Sequence, residues 1–360
     1  MMPVLSDRFA VVFKTYAWDE FVERQAHRLE DVTGSGDFFV SIDETNGAVG
    51  PVAFPNVTRF TNADLVRSGL ANRFEKGSLL WWNPDYAHYQ FLAEHGDYDY
   101  YVFIEYDALI QGSIAELIAR VVRERVDFVA LPFRIPVEEW FWSKTHRQTY
   151  PIDEMRGSLN CITVFSRRAL MKMRQRRMEM STDQKVRYWP MSEAFLLTEI
   201  ARAGYVHRSL EEFGTLGAYD WFPPTLEEDL PHHAGSTFLH PVLDPRRYIE
   251  TILKSNPPLL SFVLPWSDTR RRLNRVDSER YLHLLPKEFR RRSRVALKAR
   301  LGKLKLWLLN VARLEQAVPA GSPVAGGSSR SAWIRWPWSG LVRLFGSLAR
   351  SPIHWKSRVG

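Results

Sequence analysis

The stretch Tyr100-Tyr101-Val102-Phe103-Ile104-Glu105-Tyr106-Asp107 decides the fold. It opens as a continuous run of aromatic and β-branched residues, long enough for a buried strand and short for a helix. It closes on two carboxylates one residue apart, followed by Gly112 and a helix-like segment. A buried strand of an α/β sheet that delivers Glu and Asp to its C-terminal end places them where such sheets keep their ligands. With a side-chain period of two, Glu105 and Asp107 share one side while the strand lasts. Paired hard oxygens there suit a divalent cation and the phosphates it carries. The plain alternative is a strand running into an acidic, solvated turn.

Upstream, Arg8 to Thr15 reads as a first strand, Trp18 to Glu30 as a helix, and Phe38-Phe39-Val40-Ser41-Ile42 as a second strand ending at Asp43. This strand–helix–strand alternation predicts a parallel α/β sheet. Asn46 to Pro55 is a Gly- and Pro-bearing loop, Asn62 to Leu70 a short helix capped by Asn62, and 85–95 a helix leading into the central strand. Downstream, Ser113 to Arg125 is helical by periodicity and Val126 to Leu131 forms a strand ended by Pro132. Phe133 to Pro151 turns aromatic and charged (Trp140, Trp142, His146, Tyr150), the texture of either a cleft lining or a packed insertion. Gly157-Ser158-Leu159-Asn160-Cys161 precedes the apolar strand Ile162 to Phe165 and a basic helix. Met191-Ser192-Glu193-Ala194 opens a helix closed by Gly204, Tyr205 to His207 reads as a strand, and Trp221 to His233 as a loop. Phe238-Leu239-His240-Pro241-Val242 is a short apolar run holding a histidine, with a helix from about Pro245.

The 360 residues carry 45% hydrophobic and 13% aromatic side chains, enough for a globular core. The net charge of +8 is unevenly spread. From Ser267 onward 21 Lys plus Arg face 5 Asp plus Glu, a balance of +16, which leaves −8 for the first 266 residues. An acidic body with a basic tail points to an anionic surface met by the tail. Leu297, Leu301, Leu304, Leu308 and Val311 fall on one helical stripe among Lys298, Arg300 and Lys305. Ala317 to Arg330 has a linker's Pro, Gly and Ser content, and the last thirty residues interleave Trp333, Trp336, Trp338 and Trp355 with arginines. That composition fits an interfacial membrane segment. The single cysteine, Cys161, fits a reducing compartment, and neither a signal peptide nor an 18-residue apolar span is read. A cytoplasmic protein, peripheral on the inner membrane face, is the expectation. The expected organisation is a catalytic domain over 1–265, a basic helical extension over 266–316, a linker over 317–330 and a Trp/Arg-rich tail over 331–360.

The order of αβ alternation, a strand ending Glu-x-Asp, a Gly/Ser loop, an acid at a helix start and a late histidine resembles the GT-A class of nucleotide-sugar-dependent glycosyltransferases, over about residues 8 to 250. The resemblance implies a single-domain, Rossmann-type, mixed but mostly parallel sheet flanked by helices. It implies Mn²⁺ or Mg²⁺ at Glu105-Tyr106-Asp107, where Glu stands in the first place that the class usually gives to Asp. Arg156-Gly157-Ser158 resembles the glycine-bearing loop beside the donor sugar. Glu193 sits where inverting members place the catalytic base, though Ala194 follows it where a second acid is usual, and His240 resembles the histidine that completes the metal site. Thr15, Tyr16 and Asp43, at the ends of the first two strands, are the nucleotide-contact candidates. The implied partners are a nucleotide-diphosphate sugar, a glycan or lipid-linked acceptor from cell-surface polysaccharide synthesis, and an anionic membrane surface, with no nucleic acid.

The chemistry is coherent on its own terms. A cation offsets the charge that collects on a departing diphosphate, and one positioned carboxylate can take the acceptor hydroxyl's proton. Each residue also has a plain structural reading. Glu193 can be a helix-start acid favoured by the dipole, His240 and Cys161 core residues, Asp43 a turn acid, and His232-His233 solvated loop residues. Two other functions compete: a nucleotidyltransferase, for which Lys14-Thr15-Tyr16-Ala17-Trp18 lacks the expected Gly-rich phosphate loop, and a nucleic-acid binder using the arginine tail, for which no zinc or helix–turn–helix pattern is found.

Overall fold

The computed structural model describes residues 8–71, 79–140, 143–147, 149–183, 189–255, 258–262, 264–277 and 279–316. Every residue of β1 (Phe9–Thr15) is buried, as its apolar sequence demands. It lies between β2 (Asp37–Asp43) and β4 (Tyr100–Glu105), parallel to both. The seven-stranded sheet adds β3 (Val57–Phe60) beyond β2 on one side; beyond β4 follow β7 (Ser158–Ser166), β6 (Phe128–Pro132) and β8 (His207–Ser209). Only β7 runs against its neighbours. The architecture is therefore a mixed, mostly parallel sheet flanked by helices, as expected.

Alternation along the strands divides the core between the two faces. Ala10, Val12, Tyr101 and Phe103 pack with the helices Asp85–Glu94 and Ser192–Arg202. Val11, Phe13, Val102 and Ile104 pack with the helices Glu20–Asp31 and Ile114–Arg123. Capping side chains start the second pair, Asp19 accepting from Val22 N and Ser113 from Glu116 N. The helix Asn62–Arg67 is capped by Thr61 in a capping box with Asp64, not by Asn62, because the Thr61 hydroxyl and the Asp64 carboxylate satisfy the first turn reciprocally.

A second, three-stranded sheet lies beyond the end of β4. Its strands are β5 (Leu109–Ile110), β9 (Leu216–Tyr219) and β11 (Phe238–His240), with β11 in the centre. Beside it β10 (Thr225–Leu226) pairs with β12 (Val242–Leu243). The segment expected as a loop from Trp221 to His233 thus holds β10 and the 3₁₀ helix Glu227–His233. Trp140, His146 and Tyr150 are buried in the core, so among the described residues the aromatic segment packs rather than lines a cleft; Trp142 lies outside them.

A third apolar cluster joins Leu226, Leu243, Tyr248, Ile249 and Ile252 to Phe262, Leu273, Val276 and Tyr281. The expected boundary at 265 falls inside this cluster, and the first compact unit runs Met1–Arg291. The second unit is Arg292–Gly360. Leu285–Gln316 is one helix of 32 residues, on which Leu297, Leu301 and Leu304 are exposed. The linker over 317–330 and the Trp/Arg-rich tail lie outside the described residues. No helix among the described residues is long and apolar enough to cross a membrane.

Candidate active site

At the C-terminal end of the sheet, register sets the first two members of the site side by side. Lys14 on β1 pairs with Glu105 on β4, and the fully buried Lys14 Nζ lies 3.6 Å from Glu105 Oε1. Burial draws the lysine pKa down, against the pull of Glu105, Cys161 and Asp85. The Glu105 carboxyl is pushed up by burial; Lys14 and His240 oppose this and Asp107 reinforces it. Two residues on, burial raises Asp107 to about 6.

The small sheet brings the histidine in. Antiparallel pairing of β5 with β11 folds residue 240 back over residue 107, and Val242 N donates to Asp107 O at 2.8 Å, fixing the strand to the acidic turn. His240 Nδ1 faces the carbonyl oxygen of Asp220 at 2.8 Å. A carbonyl only accepts, so Nδ1 holds the proton and Nε2 is bare. Nε2 lies 3.7 Å from Asp107 Oδ1. Burial lowers the His240 pKa despite Glu105 and Asp220, so the ring is held neutral, the form that ligates metals.

Glu193 occupies the first turn of the helix Ser192–Arg202. Its carboxyl is raised to about 8, first by burial and then by the charges of Glu105 and Asp220. Helix and acid are held by a buried knot: Asp85 accepts from the Ser192 hydroxyl and from Arg177 Nε at 2.7 Å, while Arg177 also donates to Pro190 O at 2.9 Å. The structure thus brings Glu105, Asp107, His240 and Glu193 into one electrostatic cluster.

The remaining candidates are distributed differently. The Thr15 hydroxyl donates to Ala17 O at 2.6 Å, so its hydrogen bonding is spent within its own turn. Tyr16 is exposed, its ring set edge-on to Tyr106. Asp43 is buried and accepts from Thr45 N at 2.8 Å. Arg156 is exposed, and its backbone N and O are both tied to Thr198 Oγ1, at 2.9 and 3.0 Å, on the helix that carries Glu193. Gly157 is required by packing, since a Cβ there would come within 2.4 Å of the Phe133 ring.

Asp107 Oδ1 facing a bare imidazole nitrogen offers a divalent cation an oxygen and a nitrogen, while Glu105 groups with His240 and Cys161, one ligand atom of each lying within 4.8 Å of the other two. Lys14 already offsets part of the Glu105 charge, so Asp107 and His240 are the less encumbered ligands. Two members of this cluster carry only weak signals in the sequence. Lys14 was legible as a lone cation in an apolar strand. Cys161, read as core, has its sulfur 3.4 Å from His240 Nδ1.

No protein-family profile matches the chain, and no curated protein sequence aligns with it. Solved structures do align. A glycosyltransferase involved in glycosylation of the major capsid of PBCV-1 matches at TM-score 0.34 and 8% identity, over 64% of this chain and 91% of that one. The bifunctional glycosyltransferase WbbM matches at 0.40 and 13%, over 69% of this chain and 50% of its own length. A CMP:2-keto-3-deoxy-manno-octonic acid synthetase complexed with CTP matches at 0.32 and 11%, over 56% and 89%. At such scores the alignments transfer neither residue roles nor substrates.

Proposed function

We propose that this chain is a glycosyltransferase that moves a sugar from a nucleotide-diphosphate donor to an acceptor hydroxyl with a divalent cation bound. The observation that carries the reading is the meeting of Asp107 with His240 and of His240 with Glu105 at the carboxyl edge of a mostly parallel sheet, with Glu193 near enough for the Glu105 charge to help raise its carboxyl. Asp107, His240 Nε2 and Glu105 would hold the cation, Mn²⁺ or Mg²⁺, which when bound offsets charge on the departing diphosphate. Glu193 would take the acceptor hydroxyl's proton: a carboxylate with its pKa near 8 is a stronger base than an ordinary one, and it works best close to that pH. A single base opposite the donor implies an inverting transfer. The exposed Tyr16 ring, the Asp43 carboxylate and the Arg156 loop would contact the nucleotide and sugar. The basic helix, with its exposed Leu297, Leu301 and Leu304, would carry the enzyme to an anionic membrane surface and a lipid-linked or polysaccharide acceptor.

The test is a panel of nucleotide sugars with and without Mn²⁺ or Mg²⁺, following nucleoside diphosphate release and thermal stabilisation. Cation-dependent release and stabilisation by at least one donor, both lost in Asp107→Ala, are expected. If Asp107→Ala leaves metal-dependent donor binding intact, the site is misassigned. Pyrophosphate release from a nucleoside triphosphate and a free sugar, without donor hydrolysis, would make the chain a nucleotidyltransferase instead.

A further inference from the structure

The oxygen-and-imidazole set described above does not use the one soft donor beside it. Cys161 lies on β7, where antiparallel pairing of Ile162 with Ile104 sets it level with Glu105. It is buried, and a ligand atom from each of Glu105, Cys161 and His240 lies within 4.8 Å of the other two. Sulfur, carboxylate and imidazole at such separations need shifts of an ångström or so to meet bonds of about 2.0–2.3 Å to one ion. The sulfur faces His240 Nδ1, the nitrogen that also faces the Asp220 carbonyl, whereas Nε2 faces Asp107. The two sides of one imidazole therefore present different chemistry, hard oxygen on one and a thiol on the other.

We propose that Cys161, Glu105 and His240 Nδ1 form a second coordination mode that captures thiophilic divalent cations such as Zn²⁺ or Co²⁺, in competition with the oxygen-rich mode that faces Asp107. Thiolate and imidazole favour such ions, whereas carboxylates and carbonyls favour Mg²⁺ and Mn²⁺. Protons balance simply. The thiol proton leaves to solvent, and the Nδ1 proton passes by way of solvent to Nε2, where the facing Asp107 oxygen accepts it. The Asp220 carbonyl, released from Nδ1–H, stays beside the ion as a further oxygen donor. The inference shares Glu105 and His240 with the proposed catalytic cation site but does not require the donor to be a nucleotide sugar.

Co²⁺ titration of the reduced full-length protein tests it directly. Cys161 is the chain's one cysteine, so a thiolate-to-cobalt charge-transfer absorption can arise from no other residue. That band is expected at one equivalent, and Zn²⁺ should remove it by competition. Cys161→Ser should abolish the band and weaken Zn²⁺ binding by more than about tenfold, the loss that even outer-shell changes cause, while Mn²⁺ affinity followed by proton relaxation stays within about twofold of the parent. Cobalt bound with ligand-field bands but no charge-transfer band overturns the proposal and leaves the oxygen-rich site standing. The same holds if Mn²⁺ binds and Co²⁺ does not. Failure of both ions to bind overturns this proposal and the catalytic metal site together. The parent spectrum alone decides the matter should Cys161→Ser fold poorly.

Discussion

Lys14 is the most demanding residue in the molecule. Its ammonium is fully buried, and the partner the structure gives it is Glu105 at 3.6 Å. Removing one member of a buried pair leaves the other uncompensated, a loss of about 3–5 kcal/mol, whereas replacing both is close to neutral. Lys14→Met should therefore lower the unfolding free energy by that amount in urea, and Lys14→Met with Glu105→Gln should restore most of it. A double variant no better than the single one would show that the two side chains are not coupled. As the proposed base, Glu193 should carry the pH dependence. A base acts only when deprotonated, so turnover should climb with pH through a midpoint at or below about 8, the lower midpoint applying when a cation offsets the Glu105 charge, and level off above it. Glu193→Gln should lower kcat by roughly 10²–10⁴ with donor binding kept. Its stability should follow the opposite sign. A carboxyl whose folded pKa exceeds its ordinary value of 4.5 costs stability as pH rises from there to about 8, and the Gln variant should lack that fall. A flat pH–rate profile would remove Glu193 from the role of base.

Two elements position these side chains, and they differ in how far they could be read in advance. The helix Ser192–Arg202 was legible from its start at Ser192-Glu193 and its stop at Gly204, whose φ of 71° is the left-handed turn glycine favours. Its tether was not. Asp85 and Arg177 are 92 residues apart, and no local pattern announces that they meet. Arg177→Leu should cost about 3–5 kcal/mol by stranding the Asp85 carboxylate, and it should weaken turnover beyond what the lost stability explains, because the knot holds the first turn that bears Glu193. The small sheet shows the converse. His240 reads as a ligand only through resemblance, while β5, β9 and β11, which carry it to Asp107, are two to four residues long, below the length at which periodicity speaks. Gly217 is where that sheet is tightest: a Cβ would approach Leu239 Cδ2 to 2.4 Å and Ser236 Oγ to 2.7 Å. Gly217→Ala should destabilise by about 1–3 kcal/mol through overpacking, and it should loosen metal binding by displacing β11, as measured by Mn²⁺ titration. Unchanged affinity would mean that His240 is positioned from elsewhere.

Across the whole chain the governing asymmetry is charge, a balance of −8 before residue 267 and +16 after it. The strands of the sheet followed from apolar runs, while the proposed site acids are marked in the sequence only by their place at strand and helix ends. The extent of the first unit did not follow from composition, because residues 266–291 are as basic as what comes after, yet Leu273, Val276 and Tyr281 close an apolar cluster with the helix Pro245–Lys254. What remains to act as the basic arm begins at Arg292, where Leu297, Leu301 and Leu304 stand more than half or about half exposed at 57%, 54% and 50%, spaced to share one helical stripe. An apolar stripe flanked by lysine and arginine gains from two sources at an anionic bilayer, area buried in the interface and about 1 kcal/mol per basic residue near the surface. The two sources are separable by salt, which screens the second and not the first. Full-length protein should therefore sediment with phosphatidylserine-containing vesicles at low salt and less so as salt rises, while the combined Leu297→Gln, Leu301→Gln and Leu304→Gln variant should lose the salt-resistant fraction and keep the screened one. Equal sedimentation with neutral vesicles would assign the attraction to apolar burial alone, and unaltered binding by the variant would exclude this helix as the anchor.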